Sequence, residues 1–274
     1  MTVGIVTDSA ASLDPELRDR YQIKVVAMQL TIGADTYQDD QVTLEEVVAR
    51  LGEGIKTSGP SPGAFVDAIE QVQGPDGVLV LTVSERMSST YRSARVATQG
   101  LGASAAVLDT RTAVGGEGLV VIAAAEAAQQ GLPLSLVMER AATVSRQVRL
   151  VAAVESLDQL VQSGRLPEMA GRAGKRLGVR PLFEFRDGSI RPLRPSLSRE
   201  GSLDQVLRQW RRSKVEGAPL HVAALHALNP EGASYLLEAV RAEAAPTTCF
   251  VGTFGPVMVA HTGPGVTGLS WWWG

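Results

Sequence analysis

Two hydroxyl-rich stretches and one histidine carry the chemistry available to this chain. Thr57-Ser58-Gly59-Pro60-Ser61-Pro62-Gly63 sets three hydroxyls among two glycines and two prolines, between two helical patterns. Prolines and glycines hold such a segment to one shape. Ser61 can cap the helix that follows and Pro62 suits its first position, which leaves Thr57 and Ser58 without a capping duty. Two adjacent hydroxyls on a stiffened loop can cradle an oxygen-rich group; an ordinary polar turn is the alternative. Met87-Ser88-Ser89-Thr90-Tyr91 passes from a strand into a helix. Its hydroxyls and free backbone N–H groups sit at a helix N-terminus, an anion site of which capping needs one hydroxyl. In His261-Thr262-Gly263-Pro264-Gly265 an imidazole, able to donate or accept a proton near neutral pH, stands at the entrance of a tight turn.

Elements on either side must position these groups. Val3 to Ser9 is an apolar run ending in polar residues, as a buried parallel strand does, so Asp8 and Ser9 fall at a strand's C-terminal end. Open α/β sheets bind ligands at that edge, although either residue can instead cap the next turn. Lys24 to Ile32 reads as a second strand and Thr43 to Leu51 as a capped amphipathic helix. The helix from Pro62 puts Phe65, Ile69 and Val72 on one stripe; Gly77 to Ser84 and Ala105 to Asp109 read as strands. Two Ala-rich helices, about Gly115 to Gln130 and Leu134 to Gln147, complete a β/α alternation. The expected fold class is α/β, with a mostly parallel N-terminal domain over residues 1–150 and helices on both sheet faces.

The pattern changes near Arg149. Leu150 to Val154 reads as a strand, and Asp187-Gly188 as the turn of a hairpin between Val179–Phe185 and Ser189–Leu193. A helix around Trp210, a strand from Leu220 to Leu225, a helix from Pro230 to Ala244 and paired strands around Val251 and Val257–Ala260 follow. Residues 151–274 are thus expected to form a C-terminal α/β domain with largely antiparallel strands, and His261 to come directly after a strand. Trp271-Trp272-Trp273 reads as aromatic packing at the end of an element.

Composition excludes several classes. The 274 residues, 45% hydrophobic and 20% charged, describe a soluble globular chain of one or two domains. One cysteine, Cys249, forms no internal disulfide and suits a reducing cytosol. The N-terminal residues show neither a basic n-region nor a long apolar run, so a cytoplasmic protein without stable membrane insertion is expected. Gly171-Arg172-Ala173-Gly174-Lys175-Arg176 has the wrong spacing for a phosphate loop, and no Gly-x-Ser-x-Gly or His-Glu-x-x-His occurs. His221 and His226 fall on opposite faces of a strand, which argues against a metal site with Cys249. Residues 1–150 hold 12 Lys+Arg against 18 Asp+Glu, and residues 151–274 hold 14 against 11. Most of the second half's positive charge lies between Arg165 and Lys214, which suggests an acidic contact, a solvated helical face being the alternative.

Taken together, Ile5-Val6-Thr7-Asp8-Ser9, residues 57–63, Met87 to Tyr91, Ser163-Gly164-Arg165 and residues 261–265 resemble the ordered landmarks of the DegV family of bacterial fatty-acid-binding proteins. The resemblance implies a two-domain α/β protein, without cofactor, metal or catalysis of its own, that encloses one long-chain, palmitate-like fatty acid. It implies a carboxylate held by Thr57, Ser58, Ser88 and His261, with Ser89, Thr90 and Thr262 as possible additional ligands. It also implies a partner, a separate ATP-dependent fatty acid kinase that makes acyl-phosphate for phospholipid synthesis, and no nucleic acid. Arg165 matches the arginine associated with the kinase encounter, and Arg172, Lys175 and Arg176 on the following basic stretch are weaker docking candidates.

Three positions depart from the usual pattern: Gly59 replaces a common glutamine, Ser89 a common glycine and Ser163 a first glycine. A serine forced to positive φ at position 89 costs about 1 kcal/mol or more, unless the loop is built differently. Ser88 and Ser89 therefore remain alternatives as ligand. Two other readings stand beside the carrier. One is an acyl hydrolase with Ser88 or Ser58 as nucleophile and His261 as base; the other is an interaction protein whose lipid is only structural.

Overall fold

The structure, a computed structural model, describes residues 2–72, 74–167 and 179–274. Its strands are β1 (Gly4–Asp8), β2 (Ile23–Val26), β3 (Gln29–Ile32), β4 (Asp35–Gln38), β5 (Lys56–Ser58), β6 (Val78–Thr82), β7 (Ala105–Asp109), β8 (Arg149–Ala153), β9 (Arg180–Arg186), β10 (Ser189–Ser196), β11 (Leu220–His226), β12 (Pro246–Thr253) and β13 (Thr267–Trp273). Its helices are α1 (Pro15–Tyr21), α2 (Leu44–Ala49), α3 (Pro62–Val72), α4 (Thr90–Thr98), α5 (Val114–Gln129), α6 (Leu134–Gln147), α7 (Asp158–Gln162), α8 (Arg199–Arg212), α9 (Pro230–Glu243) and α10 (Pro256–Thr262).

The apolar runs of β1 and β6 are buried throughout, which places them at the centre of a parallel sheet of order β2-β1-β6-β7. Phe65 and Ile69 of α3, with Ala94 of α4, pack on Val6, Val78 and Val80 of one face. Leu119, Val120 and neighbours of α5, with Val137 of α6, share a core with Ile5, Leu79 and Leu81 of the other. Alternating side chains of each strand thus reach helices on both sides.

The second sheet runs β10-β9-β8-β13-β11-β12 and is antiparallel except between β11 and β12. At the β9–β10 turn Asp187 and Gly188 have φ of 52° and 77°, the paired positive angles of a tight two-residue hairpin. The tryptophans lie within β13, all three paired with β11 and Trp271 also with Arg149 of β8. Trp271 faces the core with α8 and α9, while Trp272 faces the other side and stacks on His221 with ring centroids 4.1 Å apart.

Helix α5 joins the two sheets. All of it but Glu126 and Gln129 is buried, and it touches β1 on one side and β11 and β13 on the other. A Cβ at Gly115 would come within 2.5 Å of a Leu225 methyl, and one at Gly118 within 2.7 Å of the Ala11 carbonyl oxygen. Only hydrogen in place of a side chain lets the helix approach both layers at once.

Three expectations are corrected. Lys24 to Ile32 is two strands, because Ser9 Oγ accepts the Met28 N–H at 3.0 Å and the chain turns there into a small antiparallel sheet of order β4-β3-β5. Thr57 and Ser58 consequently end strand β5, paired with Leu30 and Gln29, and do not lie in a free loop. Val257 to Ala260, strand-like by its β-branched residues, belongs to helix α10: Pro256 occupies the first turn and Asp39 Oδ1 accepts the Val257 N–H at 2.7 Å. His261 therefore stands in the last turn of a helix. Arg172, Lys175 and Arg176 lie outside the described residues. No helix among the described residues is long and apolar enough to cross a membrane.

Candidate functional site

A cavity of about 190 Å³ opens where α10, β5, the 83–89 segment and the β9–β10 hairpin meet. Thr57, Ser58, Ser88, Ser89, His261, Thr262 and Arg165 line it together with a wall that includes Leu150, Phe183, Phe185, Ile190 and Phe254. Asp8 and Ser9 are not among the lining residues; each makes a local tie instead.

Direct contacts link the polar groups. Thr57 Oγ1 lies 2.9 Å from His261 Nε2. Two residues after Thr57, Gly59 packs so closely on the start of α4 that a Cβ there would sit 2.5 Å from Thr90 Oγ1. Glycine at 59 thus lets β5 close against the helix that carries the second hydroxyl cluster. Thr90 is fully buried and absent from the cavity wall; its hydroxyl meets Ser88 Oγ at 2.8 Å, so it backs Ser88 and does not face the cavity itself. Ser89 precedes α4 with φ of −75°, an ordinary helical angle, so a serine at this place carries no strain. Its hydroxyl makes no cap, and Ser61 caps α3 through Ala64 N–H at 3.2 Å, as its position predicts.

Arg165 arrives through the geometry of Ser163-Gly164-Arg165. Gly164, at φ 74°, ends α7; its N–H reaches Val161 O and that of Arg165 reaches Leu160 O, the paired closure of a left-handed helix C-cap. The chain is thereby turned so that the guanidinium gives Nε to Met87 O (3.3 Å) and Nη1 to Ser163 O (2.5 Å). It is half-buried, burial lowers its pKa, and it has no ion pair among the described residues. His261 is neutral at ordinary pH, since burial and then the charge of Arg165 push its pKa down to about 4. Its Nδ1 is buried without a partner among the described residues. The cluster thus offers hydroxyl and imidazole hydrogen bonds and the positive charge of Arg165.

Thr262 turns its hydroxyl back to Met258 O at 3.1 Å, and Ser58, exposed, contacts Gln29 Oε1 at 3.4 Å. Two buried acids support the wall from behind. Asp8 accepts Ala10 N–H and Val83 N–H, both at 2.9 Å, and burial raises its pKa to about 7. Asp39, likewise raised by burial, holds the first turn of α10. Val114, a β-branched residue in the cavity wall, sits at φ 52°, a conformation costing on the order of 1–3 kcal/mol that surrounding packing must hold. The apolar wall and Asp39 were not legible in the sequence, because their residues come from separate elements and form no motif.

Fold and site define an α/β protein of a parallel sheet, a largely antiparallel sheet and a small third sheet, with an apolar cavity walled in part by hydroxyls, an imidazole and a guanidinium. The chain belongs to the DegV family: the family model described as "Uncharacterised protein, DegV family" matches residues 2–273. It is 29% identical over 283 residues to a DegV domain-containing protein of Mycobacterium tuberculosis, covering 98% of this chain and 96% of that one. Among solved structures, a DegV family protein from Thermus thermophilus described for its fatty acid binding superposes with a TM-score of 0.90 at 26% identity, over all of both chains. A Thermotoga maritima protein described as revealing a fatty acid binding function gives 0.86 at 25% identity, over 100% of this chain and 99% of that one.

Proposed function

We propose that the cavity holds one long-chain fatty acid, its carboxylate among Thr57, Ser58, Ser88 and His261, and that the protein presents it to a separate ATP-dependent fatty acid kinase. The observation that carries this reading is the meeting, in one cavity, of a neutral Thr57–His261 pair and an Arg165 without an ion pair among the described residues with a wall of aromatic and aliphatic side chains. The relatives described as fatty-acid-binding support the same ligand.

Each buried methylene contributes about 0.8 kcal/mol, so a long tail offers on the order of 10 kcal/mol before ordering costs, and the head group has only to fix orientation. With the ring proton on Nε2, Thr57 Oγ1 accepts it and directs its own O–H to the carboxylate; a buried carboxylate without such donors would be costly. The cavity is already larger than the roughly 150 Å³ space that admits benzene, and Met28, Met87 and Met258 in its wall are unbranched side chains that can repack around a longer chain.

The hydrolase alternative loses support at the same atoms. His261 is bonded to Thr57 and to neither serine, and no carboxylate orients its Nδ1 among the described residues. Native mass spectrometry of the purified protein, followed by delipidation and rebinding, tests the proposal. One bound C14–C18 acid per chain, in line with a tail on the order of fifteen methylenes, is the expected result. Failure of the stripped protein to rebind any long-chain acid overturns it.

A further inference from the structure

The six-stranded sheet has a second concave surface on its far side. Helix α8 packs Leu203, Val206, Leu207 and Trp210 against Leu182 and Trp271, whereas the cavity uses Phe183, the next residue of the same strand. Between α8 and the segment that ends β10 runs an open groove of about 540 Å³. Arg194, Leu197, Gln205, Arg208, Gln209 and Arg212 line it, and no acidic residue does.

Partnering separates these arginines from their neighbours. Arg191 pairs with Asp187, Arg199 with Asn229 and Arg211 with Glu243. The side chains of Arg194, Arg208 and Arg212 make no ion pair or hydrogen bond among the described residues. Positions 205, 208, 209 and 212 recur at helical spacing, so Arg208, Arg212 and two amides share one stripe of α8, which Arg194 faces from the end of β10 across the groove. At the rim Leu197 is 83% exposed, more than any other large apolar side chain described.

We infer that this groove docks an acidic segment of a partner protein. Three guanidiniums in one concavity, none paired among the described residues, attract carboxylates and pair with them in planar, two-point geometry. Arg208 and Arg212 stand one turn apart, about 5–6 Å between Cβ atoms, the spacing of acids at i and i+4 on a partner helix. Concavity favours a segment over a flat lipid surface, and Leu197 supplies an apolar contact beside the charges. The inference does not depend on what fills the cavity, which lies on the opposite face of the sheet.

Fluorescence anisotropy of a labelled ten-residue peptide of glutamates around a central leucine, titrated with the full chain at low salt, tests it. The double variant Arg208→Glu/Arg212→Glu should weaken binding at least about tenfold and Leu197→Ser about threefold, while the same charge change at Arg92→Glu/Arg95→Glu on α4 leaves it within about twofold. Absence of peptide binding, or equal losses from the two double variants, overturns the site. So does binding to phosphatidylglycerol vesicles through these arginines without binding to the peptide, which would make the surface lipid-facing. Circular dichroism melts of each variant separate loss of docking from loss of fold.

Discussion

Thr57 Oγ1 and His261 Nε2 lie 2.9 Å apart although the residues are 204 positions apart in sequence. The contact joins the end of an edge strand to the last turn of a short helix, so the imidazole is fixed from two directions. Its removal should be felt as lost ligand affinity, since each partner of a buried charged group is worth roughly 1–3 kcal/mol. Thr57→Val and His261→Ala should each weaken binding of a long-chain fatty acid between about fivefold and 150-fold by isothermal titration. The double variant should lose less than the product of the two, because both remove the same bond. Ser88→Ala should fall in the same range. Parent-like affinity in both Ser88→Ala and His261→Ala would place the carboxylate elsewhere.

The depressed pKa of His261 has a definite sign. Unfolded, the ring takes up a proton as pH falls through about 6.5; folded, it stays neutral down to about 4. Its contribution to stability is therefore complete above about pH 6.5 and is lost progressively as pH falls to about 4, on the order of 3 kcal/mol in all. Asp8 acts oppositely: raised to about 7, it keeps a proton that the unfolded chain has lost, so its contribution declines as pH rises from about 4 through 7. Urea denaturation of the ligand-free protein between about pH 4 and 8 should show the His261→Gln minus parent difference rising toward acid, and the Asp8→Asn difference rising toward alkali. A flat His261→Gln difference would mean that the ring is solvated.

What could be read from the chain follows from how locally each feature is encoded. The parallel sheet was legible because β1 and β6 are continuous apolar runs, and the β9–β10 hairpin because Asp187-Gly188 supplies two positive φ angles within two residues. The hydroxyl clusters were legible by residue type alone. Helix α10 was misread, since Val257 and Val259 favour a strand and the deciding contact, Asp39 to Val257 N–H, spans 218 residues. The split of Lys24–Ile32 escaped for the same reason, a side-chain bond from Ser9. The apolar wall draws on β8, β9, β10, α5, α7 and α10, and no periodicity within one element reveals a surface shared by six.

Asp39 is expected to be the positioning residue of α10. It accepts Val257 N–H at 2.7 Å, and its own N–H reaches the carbonyl of Met28 in the cavity wall. Asp39→Ala frees the first turn of the helix that carries Val257, Met258, His261 and Thr262, and should weaken fatty-acid binding at least about tenfold. Asp39→Asn keeps an acceptor oxygen, and burial already opposes the charged form of Asp39. It should therefore restore most of the affinity. A merely global effect would shift the melting temperature of Asp39→Ala without moving the His261 ring resonances in 1H–15N spectra. The positioning role predicts that those resonances move, and parent-like resonances would sink it.

Arg165 joins the cavity to the proposed transfer step. Its Nε and Nη1 are committed to Met87 O and Ser163 O, which leaves Nη2 and the net charge for an anion. A tail that offers on the order of 10 kcal/mol tolerates loss of one half-exposed cation, whereas a phosphoryl group arriving at the carboxylate adds negative charge that the neutral His261 cannot offset. Arg165→Ala should thus change fatty-acid affinity by less than about threefold while lowering acyl-phosphate formation with the cognate kinase at least about tenfold. The same variant should raise the His261 pKa, because the charge that helps depress it is gone. Raising salt should reproduce part of the kinase defect by screening the encounter. Equal acyl-phosphate rates for parent and variant at low salt would refute the role, and a large loss of lipid binding would instead make Arg165 a ligand of the resting carboxylate.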